Sequence, residues 1–319
     1  MVLILCWIVL TAVNAVVCLL LKLLMGLRFK RAFLWGCLAL IVPPAVIAYG
    51  TLIGRNAFEV KSVTIEHEEL PKAFDGYRVV HISDIHARSF EGRERQVQRA
   101  VEKINALSPD AIAFSGDLIT MTPDELGSMM DILRGLNATD GVYSVLGNHD
   151  YCMYSDMDSV AKASSVEQLM AAEETMGWTL LMNEHRIIHR GTDSIAIVGV
   201  ENTSPSRHFP SKGNLAQASE DTEGMYRILI SHDPLHWEAE VVGRHYPLML
   251  AGHTHAMQFS LCGWSPSRYL FPQYRGLYST AEGDACAQHL YVNAGLGETI
   301  FPARIGVRPE ITLITLKKR

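Results

Sequence analysis

The sequence predicts an α/β layered domain preceded by a transmembrane helical hairpin, and three observations carry that prediction. The first fifty-odd residues are almost wholly apolar, whereas the rest has the charge mix of a globular domain. From residue 58 onward, strand-like and helix-like apolar patterns alternate. Each predicted strand ends in a short polar cluster rich in Asp, His or Asn.

The hairpin comes first. Val2 to Leu21 is interrupted only by Thr11 and Asn14, and about 20 helical residues match the hydrocarbon core of a bilayer. Ala32 to Gly54 is also long enough to span and carries Pro43-Pro44 near its middle, where a kink is tolerated in a membrane helix. Lys22, Arg28, Lys30 and Arg31 lie between the two segments. The positive-inside rule keeps that loop cytoplasmic and places Met1 and everything after Gly54 outside. A cleaved signal peptide fits poorly, because the first segment lacks a basic leader and is too long. The sequence therefore divides into an anchor, 1–54, with spans 2–21 and 32–54, and a domain, 55–319.

The domain opens with a strand alternating from Phe58 to Ile65, and Leu70-Pro71 ends that unit. Tyr77 to Ile82 reads as a buried strand leading into Ser83-Asp84-Ile85-His86. Val97, Ala100, Val101, Ile104 and Leu107 fall at helical spacing, and Ser108-Pro109 stops that helix. Asp110 to Ser115 is a strand ending in Gly116-Asp117, and Pro123 to Leu136 is predicted as a second helix. A further strand ends at Gly147-Asn148-His149-Asp150. Ser194 to Val200, Arg227 to Ile230 and Pro247 to Leu250 follow the same habit, and Ser204 to Gly224 reads as a mobile surface loop. A final strand pair, His289 to Asn293 and Glu310 to Leu316, closes the chain.

The formal net charge of −6 gives no basic footprint, so nucleic acid is not an expected partner. Cys6, Cys18 and Cys37 lie in the apolar segments. Cys152 reads as an inert small side chain, and Cys262 and Cys286 are an open candidate for a disulfide.

The strand-end residues Asp84, His86, Asp117, Asn148, His149, His232, His253 and His255 are all oxygen or imidazole donors. That mixture suits Mn, Fe or Zn rather than a thiolate site. There are more donors than one ion needs, and a carboxylate shared by two divalent metal ions accounts for them. Two such ions exceed the charge of two carboxylates, so the centre favours an anionic oxygen substrate, of which phosphate esters are the obvious class.

Taken together, Asp84-x-His86, Gly116-Asp117, Gly147-Asn148-His149-Asp150, His232 and Gly252-His253-x-His255 resemble the motif series of the calcineurin-like metallophosphoesterases. The lead-in "LPKAFDGYRVVHISDIH" and the tail "LGETIFPARIGVRPEITLITL" are similar to a membrane-associated bacterial branch linked to envelope phosphodiesters and to UDP-2,3-diacylglucosamine pyrophosphatases. The resemblance implies the metallophosphoesterase α/β-β/α layered sandwich. One ion would take Asp84, His86, Asp117 and His255, and the other Asp117, Asn148, His232 and His253. His149 would contact the phosphoryl group or protonate the leaving oxygen, with Asp150 orienting its ring.

Joined to the two spans and the positive-inside rule, it gives a bacterial inner-membrane, multi-pass phosphohydrolase with an extracytoplasmic domain, cleaving a phosphodiester or pyrophosphate bond, lipid-linked or of the envelope, by metal-activated hydroxide. The alternatives are UDP-2,3-diacylglucosamine pyrophosphatase activity and a metal-free binding scaffold. The last motif departs from the pattern, with Ala256-Met257 where the branch often has two glycines. Outside the motifs, Glu173-Glu174 reads as a solvated helix face, Glu201-Asn202 as a turn, and Arg304 as a phosphate holder or a surface salt bridge. The methionines of 151–176 read as a helix packed on the core.

Overall fold

The computed structural model describes residues 2–281, 284 and 286–319. It divides into two compact units, residues 1–53 and 54–319.

The first unit is a pair of helices, α1 (Val2–Met25) and α2 (Phe29–Leu52). Met1, expected outside the membrane, lies outside the described residues, as does the side chain of Cys6. α2 continues through Pro43 and Pro44. Asn14 supplies the polar contact between the helices: its amide donates to the Phe33 carbonyl at 3.2 Å. Gly36 leaves room for it, since a Cβ there would lie 1.9 Å from Asn14 Oδ1. The helical stretch Phe29–Asn56 is long and apolar enough to cross a membrane, at about 42 Å for its 28 residues. The two-span expectation is met only in part, because the apolar stretch described in α1, Leu10–Met25, is shorter than a span.

The second unit is two six-stranded sheets packed face to face with helices outside. One sheet contains β1 (Glu59–His67), β2 (Arg78–Ile82), β3 (Ala111–Phe114), β4 (Val142–Ser144) and β5 (Thr179–Leu180). The other contains β6 (Glu184–Arg190), β7 (Asp193–Gly199), β8 (Tyr226–Ile230), β9 (Leu248–Ala251), β10 (Gly276–Ser279) and β11 (His289–Val292). The last strand, β12 (Glu310–Lys318), returns to the first sheet, giving the orders β1-β12-β2-β3-β4-β5 and β10-β11-β9-β8-β7-β6. The predicted closing strand pair is thus corrected: β11 and β12 belong to different sheets, and β12 lies between β1 and β2.

Strand alternation explains the layering. Val79, Ala111, Ala113 and Val145 meet Ile195, Ile197, Ile228, Ile230 and Leu250 between the sheets. Their neighbours Val80, Ile82, Ile112 and Phe114 face outward onto Val97, Val101 and Ile104 of α3 (Glu94–Ala106). Both faces are buried, so these strands read as continuous apolar runs.

The predicted helix over 123–136 is broken. A 3-10 turn, Pro123–Leu126, carries a Thr122–Glu125 capping box and stops at Gly127 (φ 40°), before the short α4 (Met129–Leu133). α5 (Ser159–Thr175) packs on the core through Leu169 and Val166, and Met153 and Met157, in the turn that precedes the helix, join them. The 204–224 segment is only partly a surface loop: it holds α6 (Leu215–Ala218) with Leu215, Ala218 and Thr222 buried. Cys262 and Cys286 are both free and exposed.

Glu173 corrects the solvated-face reading of α5. It is fully buried; its Oε2 pairs with the Ser144 hydroxyl, and its Oε1 has no partner among the described residues. Burial pushes its carboxyl up from 4.5 to about 8. The folded state therefore keeps a proton that the unfolded chain releases above pH 4.5. The stability this group contributes is complete below that pH and lost as pH rises to about 8. Denaturant unfolding of Glu173→Gln should show a flatter pH 5–8.5 profile than wild type. The difference should be on the order of 4 kcal/mol, and parallel profiles would contradict the assignment.

Candidate metal centre

The strands that carry the polar clusters run parallel within each sheet, β2-β3-β4 and β7-β8-β9, so their C-terminal ends share an edge. Interlocked backbone follows: Asp84 N donates to Gly116 O at 2.9 Å and His86 N to Asp117 O at 3.1 Å. Asp84, His86, Asp117, His253 and His255 all have left-handed backbone, with φ between 45° and 71°. Such φ values in non-glycine residues cost on the order of 1–3 kcal/mol each and persist only where the surroundings impose them.

Two glycines allow the close approach. A Cβ on Gly147 would lie 2.2 Å from Asp117 Oδ1, and one on Gly252 would lie 2.3 Å from Asp84 Oδ2.

The side chains converge in two groups. In the first, His86 Nε2 lies 3.1 Å from His255 Nε2, and His255 Nε2 lies 3.2 Å from Asp84 Oδ1. In the second, His232 Nε2 is 3.1 Å from Asp117 Oδ2 and 3.3 Å from His253 Nδ1. Asp117 joins them, with its Oδ2 also 3.6 Å from His86 Nε2. Three sets of potential ligand atoms each lie within 4.8 Å of one another: Asp84–His86–His255, His86–Asp117–His149 and Asp117–His232–His253. Asn148 is buried beside them, and its Oδ1 has no hydrogen-bond partner among the described residues.

The electrostatics follow from burial, with imidazoles in direct contact with the carboxylates and the buried Arg304 guanidinium adding positive charge toward Asp84. Burial alone would lower His232, but the charge and hydrogen bond of Asp117, with Asp84 behind it, raise it to about 10. Burial alone would raise the two carboxylates, yet His255 and His232 hold Asp84 low, and His232 and His149 hold Asp117 low. Burial pushes the fully enclosed His86 ring well below its ordinary range against the pull of Asp117. His232 Nδ1 faces the Ser115 carbonyl at 2.7 Å. A carbonyl only accepts, so Nδ1 carries its proton there and Nε2 is the nitrogen aimed into the centre.

These residues fit divalent cations. Ring nitrogens facing each other across 3.1 and 3.3 Å, two buried carboxylates, and an amide oxygen with no donor form an oxygen and imidazole donor set. It is a set that a cation satisfies and a packed apolar core would not.

Asp150 does not orient His149. Its Oδ2 accepts the backbone N–H of Asp117 and Gly147, and its Oδ1 those of Leu118 and Ile119, at 2.8–3.1 Å. The carboxylate thus ties the loop after β3 to the loop after β4. The task expected of Asp150 falls to the Thr120 carbonyl, 2.8 Å from His149 Nδ1. Burial and the Asp117 charge raise Asp150 to about 7 against the pull of its amides.

Arg304 is neither a phosphate holder nor a surface ion pair. It is fully buried, and its guanidinium donates to the carbonyls of Gly297 and Ala294, with Nη2 3.4 Å from His255 Nδ1. Glu201 is more than a turn residue, since it accepts from Tyr151 and Asn183 at 2.8 and 3.0 Å. Sequence reasoning missed three aromatic neighbours. Tyr154 lies 4.3 Å from the His149 ring, and Phe209 and Phe271 sit edge-on to His253 at 5.1 and 5.4 Å. Nothing in their local patterns marks them.

Comparison with known proteins agrees with this geometry. The family model for calcineurin-like phosphoesterases matches residues 77–257. An uncharacterized metallophosphoesterase of Bacillus subtilis, YkuE, is 30% identical over 298 residues, covering 90% of this chain and 97% of the relative. A transmembrane protein with metallophosphoesterase domain from Danio rerio is 31% identical over 291 residues, 88% of this chain and 62% of the relative. A second Bacillus subtilis protein, the uncharacterized metallophosphoesterase YkoQ, is 25% identical over 265 residues, 81% of this chain and 91% of the relative.

Gly147→Ala tests the close approach. The added methyl group must displace the Asp117 carboxylate, at a cost of about 1–3 kcal/mol. Titration calorimetry with Mn²⁺ should show at least about tenfold weaker binding, the equivalent of 1.4 kcal/mol. Unchanged affinity would mean that the contact does not position Asp117.

Proposed function

The chain belongs to the calcineurin-like phosphoesterase family, a metal-dependent class of phosphoester hydrolase, and on that premise we propose that it is a membrane-anchored phosphodiesterase or pyrophosphatase acting on a lipid-linked or envelope substrate. The observation that carries the reading is the pair of donor groups joined through Asp117. The apolar stretch Phe29–Asn56 supports the anchor, and the basic loop supports a two-span hairpin with the domain outside the cytoplasmic membrane. The relatives reported above lend no support to the UDP-2,3-diacylglucosamine pyrophosphatase alternative. A metal-free scaffold would lack donors that this chain retains.

Asp84, His86, Asp117 and His255 would hold one divalent ion, and Asp117, Asn148, His232 and His253 the other. Bound there, such ions supply Lewis-acid charge to a phosphoryl group and acidify water. The chain's residues do the remaining work. Asp117 faces both groups, so it fixes their spacing. His149, whose Nδ1 donates to the Thr120 carbonyl, presents Nε2 to the phosphoryl group, where in its imidazolium form it would protonate the leaving oxygen. Tyr154 covers the His149 ring and limits its rotation. Asp150 keeps both loops in register without meeting substrate.

The test uses the full chain in detergent, stripped of metal and restored with Mn²⁺, on bis(4-nitrophenyl) phosphate and 4-nitrophenyl phosphate. The diester should be cleaved faster. His149→Ala should lose about 10²–10⁴-fold, and Asp117→Asn should lose all metal-dependent turnover. An Asp117→Asn variant with wild-type rates would overturn the shared-carboxylate reading.

A further inference from the structure

The domain exposes an unusual amount of apolar surface in one place. Among the described residues of 54–319, most exposed large apolar side chains fall in two short segments, 257–270 and 300–301. Tyr269 is 75% exposed and Leu270 61%, while Ile300 is fully exposed. Gln258 ties the start of the first segment to the second. Its amide nitrogen donates to the carbonyls of Phe301 and Ala303 at 2.5 and 2.9 Å, and its oxygen accepts from Thr299 N at 2.9 Å. Trp264 packs edge-on to Tyr269 at 6.3 Å.

This surface borders the metal centre. Its first segment follows His255 directly, and Phe271, one residue past Leu270, sits edge-on to His253. Met257 is exposed on left-handed backbone (φ 51°), between Ala256 (φ 47°) and Gln258 (φ 54°). Glycine would adopt that conformation without steric cost. The thioether there has little internal packing to offset the strain.

The surface also lies beside Arg55, the second residue of the domain. Arg55 Nε and Nη2 fork onto both oxygens of the buried Glu298 carboxylate at 2.9 and 2.8 Å, and Arg93 Nη2 adds a contact at 3.3 Å. Ile300 is two residues beyond Glu298, a reach of about 7 Å of extended chain. Arg55 is the penultimate residue of the apolar stretch Phe29–Asn56, and the fork keeps Ile300 near it.

We propose that this apolar rim seats on a phospholipid bilayer and turns the mouth of the metal centre toward lipid headgroups. The inference rests on the anchored-hydrolase reading and adds to it a substrate class, a phosphodiester presented in the plane of the membrane. Trp264 and Tyr269 supply the amphipathic rings that favour the headgroup level. Ile300, Phe301, Met257 and Leu270 supply the part that enters the acyl boundary.

The experiment uses the full chain in vesicles of phosphatidylcholine and phosphatidylglycerol, with and without lipids brominated near the headgroup. Subtracting Trp264→Phe from wild type isolates the fluorescence of Trp264, which brominated lipid should quench by about twofold or more if the ring lies in the interface. Ile300→Glu should lower hydrolysis of a phosphodiester lipid in the vesicles by about tenfold, a 1.4 kcal/mol effect. It should leave hydrolysis of soluble bis(4-nitrophenyl) phosphate unchanged. An unquenched Trp264 in protein that still cleaves the soluble diester overturns the docking and leaves the hydrolase reading standing. A quenched Trp264 in protein that cleaves no diester supports the docking while the hydrolase reading falls. Shielding of Trp264 that follows protein concentration in lipid-free detergent assigns the surface to a second copy of the chain and overturns the proposal.

Discussion

The structure depends on forcing five donor residues onto left-handed backbone at the ends of parallel strands. Asp84 and His86 after β2, Asp117 after β3, and His253 and His255 after β9 all take φ values that side chains disfavour. A strand that continued straight would put residues two apart on the same face but about 7 Å from each other. The left-handed turns instead fold Asp84 and His86 together, with Oδ1 and Nε2 3.9 Å apart, and direct His253 to His232 and His255 to Asp84. The two sheets hold these turns in place, because β2-β3-β4 and β7-β8-β9 end along one edge. The Asp150 carboxylate adds a cross-link, collecting four backbone N–H groups from two loops.

Strain of this kind must be balanced elsewhere, and the burial pattern shows where. Both faces of the central strands are covered, so the loops leave a rigid platform. Asp84 and Asp117 are buried, and among the described residues their ion-pair partners are imidazoles, with the Arg304 charge acting on Asp84 from behind His255. Asp117, through charge and hydrogen bond, and Asp84 push the His232 ring upward against its burial, while the buried Asn148 Oδ1 has no hydrogen-bond partner among the described residues.

Much of this was legible in the sequence, because the informative residues sit at strand ends. An Asp or His following a run such as Arg78–Ile82 or Leu248–Ala251 is placed by the strand itself, so its donor chemistry and its location are read together. The layering was legible for the same reason. Three kinds of feature were not. Thr120 and Ser115 orient histidines through backbone carbonyls, which no residue type announces. Glu173 and Arg304 are charged side chains buried by tertiary packing, against the usual surface preference of their types. β12 joins the first sheet rather than its sequence neighbour β11, a choice fixed by long-range pairing with β1 and β2. Asp150 failed differently: its position beside His149 suggested a side-chain partner, whereas four amides compete for the same carboxylate.

The account stands on two ions sharing one carboxylate, and metal stoichiometry tests that most directly. The full chain, stripped by chelation, reloaded with Mn²⁺ and freed of excess ion, would be assayed by atomic emission against its own sulfur content. The account predicts two ions per chain for wild type. It predicts a loss from both groups, not one, for Asp117→Ala, provided that circular dichroism shows the variant folded. A folded wild-type chain that retains no more than one ion, or an Asp117→Ala chain that keeps two, would contradict it.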